Sequence, residues 1–121
     1  MVFVLFKTYE NVEFNRFGWP IGIEPVEKNP AVEYYVLEND WDDVDLFEDD
    51  LAIDEIAQRC DSLIGYGEDD YFNAEECKIL LSWLEERLCK PAVPRYREML
   101  EVLKDYCNRA IEYNTGVYID L

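Results

Sequence analysis

The chain contains no histidine. That removes the commonest general base and a principal nitrogen ligand for zinc. Hydroxyl nucleophiles are scarce, with Ser62, Ser82, Thr8 and Thr115 the whole supply, and each serine falls inside a helical pattern. No G-x-S-x-G, P-loop or G-x-G-x-x-G is present. The nearest stretch, "GYGEDD" (65–70), is followed by no lysine, and its carboxylates would repel a phosphate. Cys60, Cys77, Cys89 and Cys107 form no C-x-x-C pair, so the usual zinc spacings are missing. In a reducing compartment all four read as small buried hydrophobes, not as disulfide partners or reactive thiols. Paired carboxylates can run acid/base chemistry, but among 28 acids such pairs arise by chance. An EF-hand loop begun at Asp40 fails at Val44, Asp45 and Leu51, its fifth, sixth and twelfth positions. The expectation is a protein that is not an enzyme and needs no metal or cofactor.

Long apolar runs are missing too. None approaches the roughly 18 residues of a membrane span. "MVFVLFKTY" has no basic region before its apolar run and no cleavage-like site after it, so it reads as a strand and the expected location is cytoplasmic. Basic residues are the last shortage: 11 Lys and Arg stand against 28 Asp and Glu, a net charge of −17. Solubility alone asks for a net charge of about 2 to 8 in magnitude. Residues 38–76 hold 16 acids and one base, Arg59, leaving a net −2 for the remainder. The charge is therefore local. Its sign disfavours nucleic acid, which is bound through Lys and Arg.

What is present is a core. Half of the 121 residues are hydrophobic and 15% are aromatic, enough for one domain spanning 1–121. "MVFVLFKTY" reads as a central strand covered on both faces. "FGWPIGIEP" (17–25) reads as a turn-rich crossing with a short edge strand. "AVEYYVLE" (31–38) reads as a second strand. A helical pattern runs from Asp50 through Leu51, Ile53, Ile56, Ala57, Cys60 and Ile64, with Gly65 ending it, and 65–72 reads as a loop. Asn73 and Glu76 have the spacing of a capping box. The helix behind them aligns Cys77, Leu80, Leu81, Leu84 and Leu88, and Pro91 stops it. Pro94 opens a third helix with Tyr96, Met99, Leu100, Leu103, Cys107, Ala110 and Ile111 as its apolar stripe, and Asn114 and Gly116 are expected as left-handed terminators. Alternating Val117, Ile119 and Leu121 close the chain as a strand. The expected fold class is α+β, a small sandwich of about three helices on a sheet that includes both terminal strands.

Two stretches interleave acids with aromatics. "ENDWDDVDLFEDD" (38–50) carries eight acids and no base, and "GEDDYF" (67–72) repeats the combination. Carboxylates steer a basic partner, and buried aromatics anchor it. The candidate partner-binding residues are Asp40, Trp41, Asp42, Asp43, Asp45, Phe47, Glu48, Asp49 and Asp50 from the first stretch, with Glu68, Asp69, Asp70 and Tyr71 from the second. Leu46 and Phe47 could equally fold back into the core.

In size, in the clustered acids of 38–55 and 68–76, and in the helix-then-strand ending "NRAIEYNTGVYIDL", the chain resembles the immunity proteins of bacterial polymorphic-toxin systems, including contact-dependent growth inhibition. That resemblance implies a cytoplasmic antitoxin that neutralises one cognate basic toxin domain, in the expected 1:1 complex; the surplus charge opposes self-association, so the free protein is expected to be a monomer. Such toxins are often nucleases. It carries over no site residue. Two other readings stay open: a phage-type nucleic-acid mimic that inhibits a host defence enzyme, and an acidic adaptor in a larger assembly.

Overall fold

The computed structural model describes residues 1–22, 26–39, 41–62 and 69–121. In chain order its elements are β1 (Val2–Phe6), β2 (Glu13–Phe14), β3 (Pro20–Ile21), a 3-10 turn (Val26–Lys28), β4 (Val32–Val36), α1 (Trp41–Asp49), α2 (Ala52–Cys60), β5 (Asp69–Asn73), α3 (Ala74–Leu88), α4 (Pro94–Tyr113) and β6 (Gly116–Asp120). Four strands form an antiparallel sheet in the order β4-β1-β6-β5. Both terminal strands lie in it side by side, with Phe3 opposite Ile119 and Leu5 opposite Val117. The α+β architecture is the one expected, with four α-helices among the described residues. None of them is long and apolar enough to cross a membrane.

The unbroken apolar run of β1 has a direct cause. Alternate side chains leave the strand on opposite faces, and both faces are covered. Phe3 and Leu5 join the main core with Leu80, Leu84, Leu100 and Leu103 of α3 and α4. Val4 and Phe6 join a smaller core with Val32 and Tyr71, closed by Tyr9, Val12, Trp19 and Val26 from the crossing between β1 and β4. The crossing carries a two-strand ribbon, β2 with β3.

Several local expectations hold. Asn73 caps α3: its Oδ1 accepts from the Glu76 N–H at 2.9 Å, and the Glu76 carboxylate accepts from the Asn73 N–H at 3.2 Å. Asn114 ends α4 in the left-handed region at φ 54.

Others need correction. The acidic run, to which the apolar pattern assigned no element, is helical over 41–49. Like charges at helical spacing oppose this. Burial of Val44 and Phe47, Asp42 and Asp43 at the positive end of the helix, and the tertiary bonds described below outweigh them. Residues 69–73 are a strand, not a loop, because adjacent Tyr71 and Phe72 bury into opposite faces of the sheet. The helix from Ala52 ends at Cys60, where Asp61 adopts φ 50. Gly65, the expected terminator, lies outside the described residues. Gly116 is not a left-handed terminator but the first residue of β6. A Cβ there would stand 2.4 Å from the Phe72 carbonyl oxygen. Trp83 and Tyr106 are buried helix residues that the apolar stripes missed, whereas Leu81, Leu88 and Ile111 are only half-buried. Cys60, Cys77 and Cys107 are buried, and burial pushes the Cys60 thiol up to about 11. Cys89 departs from the expectation and is exposed.

Candidate functional site

The acids of the charged segment fall into two classes, and the division follows the turn of α1. Asp43, Val44 and Phe47 lie on its inner face and are buried. Asp42, Asp45, Glu48 and Asp49 lie on its outer face and are exposed.

Asp43 is 1% exposed and accepts four hydrogen bonds. Arg95 grips it in a fork, Nε to Oδ1 at 3.0 Å and Nη2 to Oδ2 at 2.6 Å. Asn39 donates through its backbone N–H at 3.1 Å and its side-chain amide at 3.2 Å. The Arg95 bonds, with help from Asn39, lower the carboxyl from 3.8 to about 2 despite burial. The same pair holds the Arg95 guanidinium well above its ordinary value. Arg95 also donates to the Tyr35 hydroxyl at 2.7 Å. Asp43 thus ties α1 to α4 and to β4.

Asp50 does the same at the corner between α1 and α2. It accepts from Arg87 Nε at 2.8 Å and from the Tyr96 hydroxyl at 2.6 Å. Burial, then the bond to Asp50, pushes the Tyr96 phenol up. Phe47 packs edge-on against Tyr96 with ring centroids 5.2 Å apart and against Phe3 at 6.1 Å. It belongs to the core, and Leu46 packs half-buried against that core. Asp70 is 7% exposed; it accepts from the Ser62 hydroxyl at 2.6 Å and the Tyr71 N–H at 2.8 Å. Tyr71 is buried in the smaller core.

Asp43, Phe47, Asp70 and Tyr71 are therefore corrected from partner-facing to structural residues, and Asp50 is half-buried in an ion pair. Asp69 stays exposed and accepts from the Tyr118 hydroxyl. Asp40 and Glu68 lie outside the described residues.

What remains on the outer face of α1 is four carboxylates with Trp41 at the N-terminal end, 49% exposed. At the other end the structure adds a residue that the apolar pattern hid. Leu51 opens α2 in the left-handed region at φ 59 and is 60% exposed. A non-glycine residue there costs roughly 1–2 kcal/mol. An exposed apolar side chain in a strained conformation makes Leu51 a candidate functional position. Its only sequence signal is its place between Asp50 and Asp54. Glu48 and Asp49 sit in the last turn of α1, which has no base. Carboxylates at that end oppose the helix dipole, so helix stability does not account for them.

The two acidic-aromatic stretches do not form one patch. α1 follows β4 at one edge of the sheet, and Asp69 to Asn73 form the opposite edge. Three strand spacings, about 14 Å, separate the edges. Between them runs α2, with Asp54 and Glu55 exposed.

Comparison with family models, with curated proteins and with solved structures finds no match to this chain.

Proposed function

We propose that this protein is an immunity-type inhibitor that docks the outer face of α1 onto a basic protein domain and neutralises it one to one. The observation that carries this reading is the segregation on α1. Buried Asp43 is compensated by Arg95, while Asp42, Asp45, Glu48 and Asp49 face outward between two exposed apolar side chains, Trp41 and Leu51. Carboxylates steer the encounter and set the sign of the partner, and the flanking apolar groups supply area to desolvate. A toxin nuclease fits as the partner because its active surface must be positive to hold phosphates. Nucleic-acid mimicry is less well supported: a nine-residue helix is about 14 Å long, a span of only about four phosphates on one strand of a duplex.

The test is the charge reversal Asp42→Lys/Asp49→Lys. Asp42 is in the first turn of α1 and Asp49 in the last, so the dipole penalty of one lysine, about 0.3–1 kcal/mol, is offset by the gain from the other. The fold should hold. Partners captured from the native host by the wild-type protein and identified by mass spectrometry should include a basic toxin domain, and its binding should be lost in the double variant. The on-rate with that partner should fall steeply as salt rises. Capture of the same toxin by the variant at wild-type affinity would move the interface off α1. Capture of a nucleic-acid-processing defence enzyme instead would favour the mimic.

A further inference from the structure

A cleft of about 230 Å³ opens beside β5, between the turn that joins β2 to β3 and the C-terminal end of α2. Phe17 and Trp19 give it aromatic walls, Asp61, Asp70 and Glu76 give it carboxylates, and the buried Tyr71 also borders it. No base is among its described lining residues, and Arg16 stands beside it on the Phe17 ring. Strand side chains alternate between faces, so a cleft that touches both Asp70 and Tyr71 lies at the outer edge of β5, which among the described residues pairs with β6 alone.

The aromatic wall is built in advance. Asn15 Oδ1 accepts from the Phe17 N–H at 2.9 Å and the Trp19 N–H at 3.0 Å, and Gly18 turns the chain at φ 81. The short ribbon of β2 and β3 thus holds Phe17 73% exposed, far more than packing requires. Its ring already carries one guanidinium, that of Arg16, at 4.8 Å. On the carboxylate side, burial pushes the Glu76 carboxyl up against the lowering effect of the Asn73 N–H, and the charge of Asp70 adds to the rise. These like charges gain from a cation between them.

We propose that this cleft is a receptor for a single alkyl guanidinium, carried either by an arginine side chain or by a free arginine-like amine. A planar guanidinium stacks on aromatic faces while its fork of N–H donors meets carboxylates, which a compact ammonium does less well. The volume is below the roughly 300–1,000 Å³ of ordinary small-molecule sites, which suits one cationic head group. The cleft borders β5, at the opposite edge of the sheet from β4, and none of its described lining residues belongs to α1, so guanidinium binding here succeeds or fails independently of any contact made by α1.

The test is a titration of ¹⁵N-labelled protein with N-acetyl-arginine methylamide, followed by NMR. It is run in about 0.15 M salt, where exposed charges more than about 8 Å apart are screened. The Trp19 indole N–H should shift saturably, and the uncharged norleucine counterpart should leave it in place. Asp61→Asn/Glu76→Gln should weaken binding about tenfold or more through lost charge-assisted bonds. Asn tolerates the left-handed conformation of residue 61, and Gln keeps the capping box, so the double variant should fold, which its spectrum checks. No saturable shift at millimolar concentrations overturns the proposal. So does binding that survives the double variant, since that is only the general attraction of a chain of net charge −17. Tighter binding of agmatine than of the capped arginine would identify a free amine as the occupant, and the reverse would identify a protein side chain.

Discussion

Asp43→Asn should destabilise the protein by about 2–3 kcal/mol at neutral pH, and the size follows from two separate routes. The carboxyl falls from 3.8 to about 2 in the folded chain, and nearly two units at 1.36 kcal/mol each is about 2.5 kcal/mol. Breaking a fully buried ion pair costs about 3–5 kcal/mol. Arg95 is 24% exposed and keeps Glu98 and Tyr35 as partners, which argues for the lower end. At about 2.1 cal/mol/K of unfolding entropy per residue, the loss should lower Tm by roughly 10 °C. The pH dependence has a definite sign. A carboxyl lowered in the folded state stabilises fully above its unfolded value near 4, and that contribution disappears as pH falls towards 2. Urea unfolding followed by tryptophan fluorescence should therefore give a gap between wild type and variant that shrinks by about 2 kcal/mol from pH 6 to pH 2. Taking the difference cancels the other carboxylates, whose protonation relieves repulsion in both proteins. In an Arg95→Met background Asp43→Asn should cost little, because no guanidinium is left unpaired. A gap under about 0.5 kcal/mol at pH 6, within the range of an ordinary surface change, or one that persists unchanged to pH 2, would refute the reasoning.

Gly116→Ala should cost about 3 kcal/mol or more in chemical denaturation, since its Cβ would fall 2.4 Å from the Phe72 carbonyl oxygen and from the Tyr71 hydroxyl in a strand paired on both sides. Leu51→Gly should raise stability by up to about 1 kcal/mol by removing left-handed strain; a loss of stability would mean that the half of this side chain out of contact with water matters more than the strain. The same variant should bind the partner less well. Trp41→Ala should cost about 2 kcal/mol in partner affinity by titration calorimetry, more than it costs in unfolding free energy, and a larger loss in unfolding than in binding would place Trp41 in the core instead.

The sequence alone determined the elements whose causes are local. Val and Tyr repeats made β4, the Asn73 and Glu76 spacing capped α3, Asn114 stopped α4, and the apolar termini marked two strands of one sheet. Periods of two and near 3.6 survive any packing arrangement, so they can be read without it. Charge counts likewise located the acidic segment. Only the tertiary structure decided what that segment became. Whether residues 41–49 would be helix depended on Arg95, 52 residues downstream of Asp43, and on pockets for Val44 and Phe47 made by other elements. Whether Asp69–Asn73 would be a strand depended on an open edge of β6 and on the absent side chain of Gly116. The separation of Asp43 from its neighbour Asp42 was illegible for the same reason. Along the chain they are two equal acids, and a helical turn of about 100° per residue puts one against a distant arginine and the other into solvent.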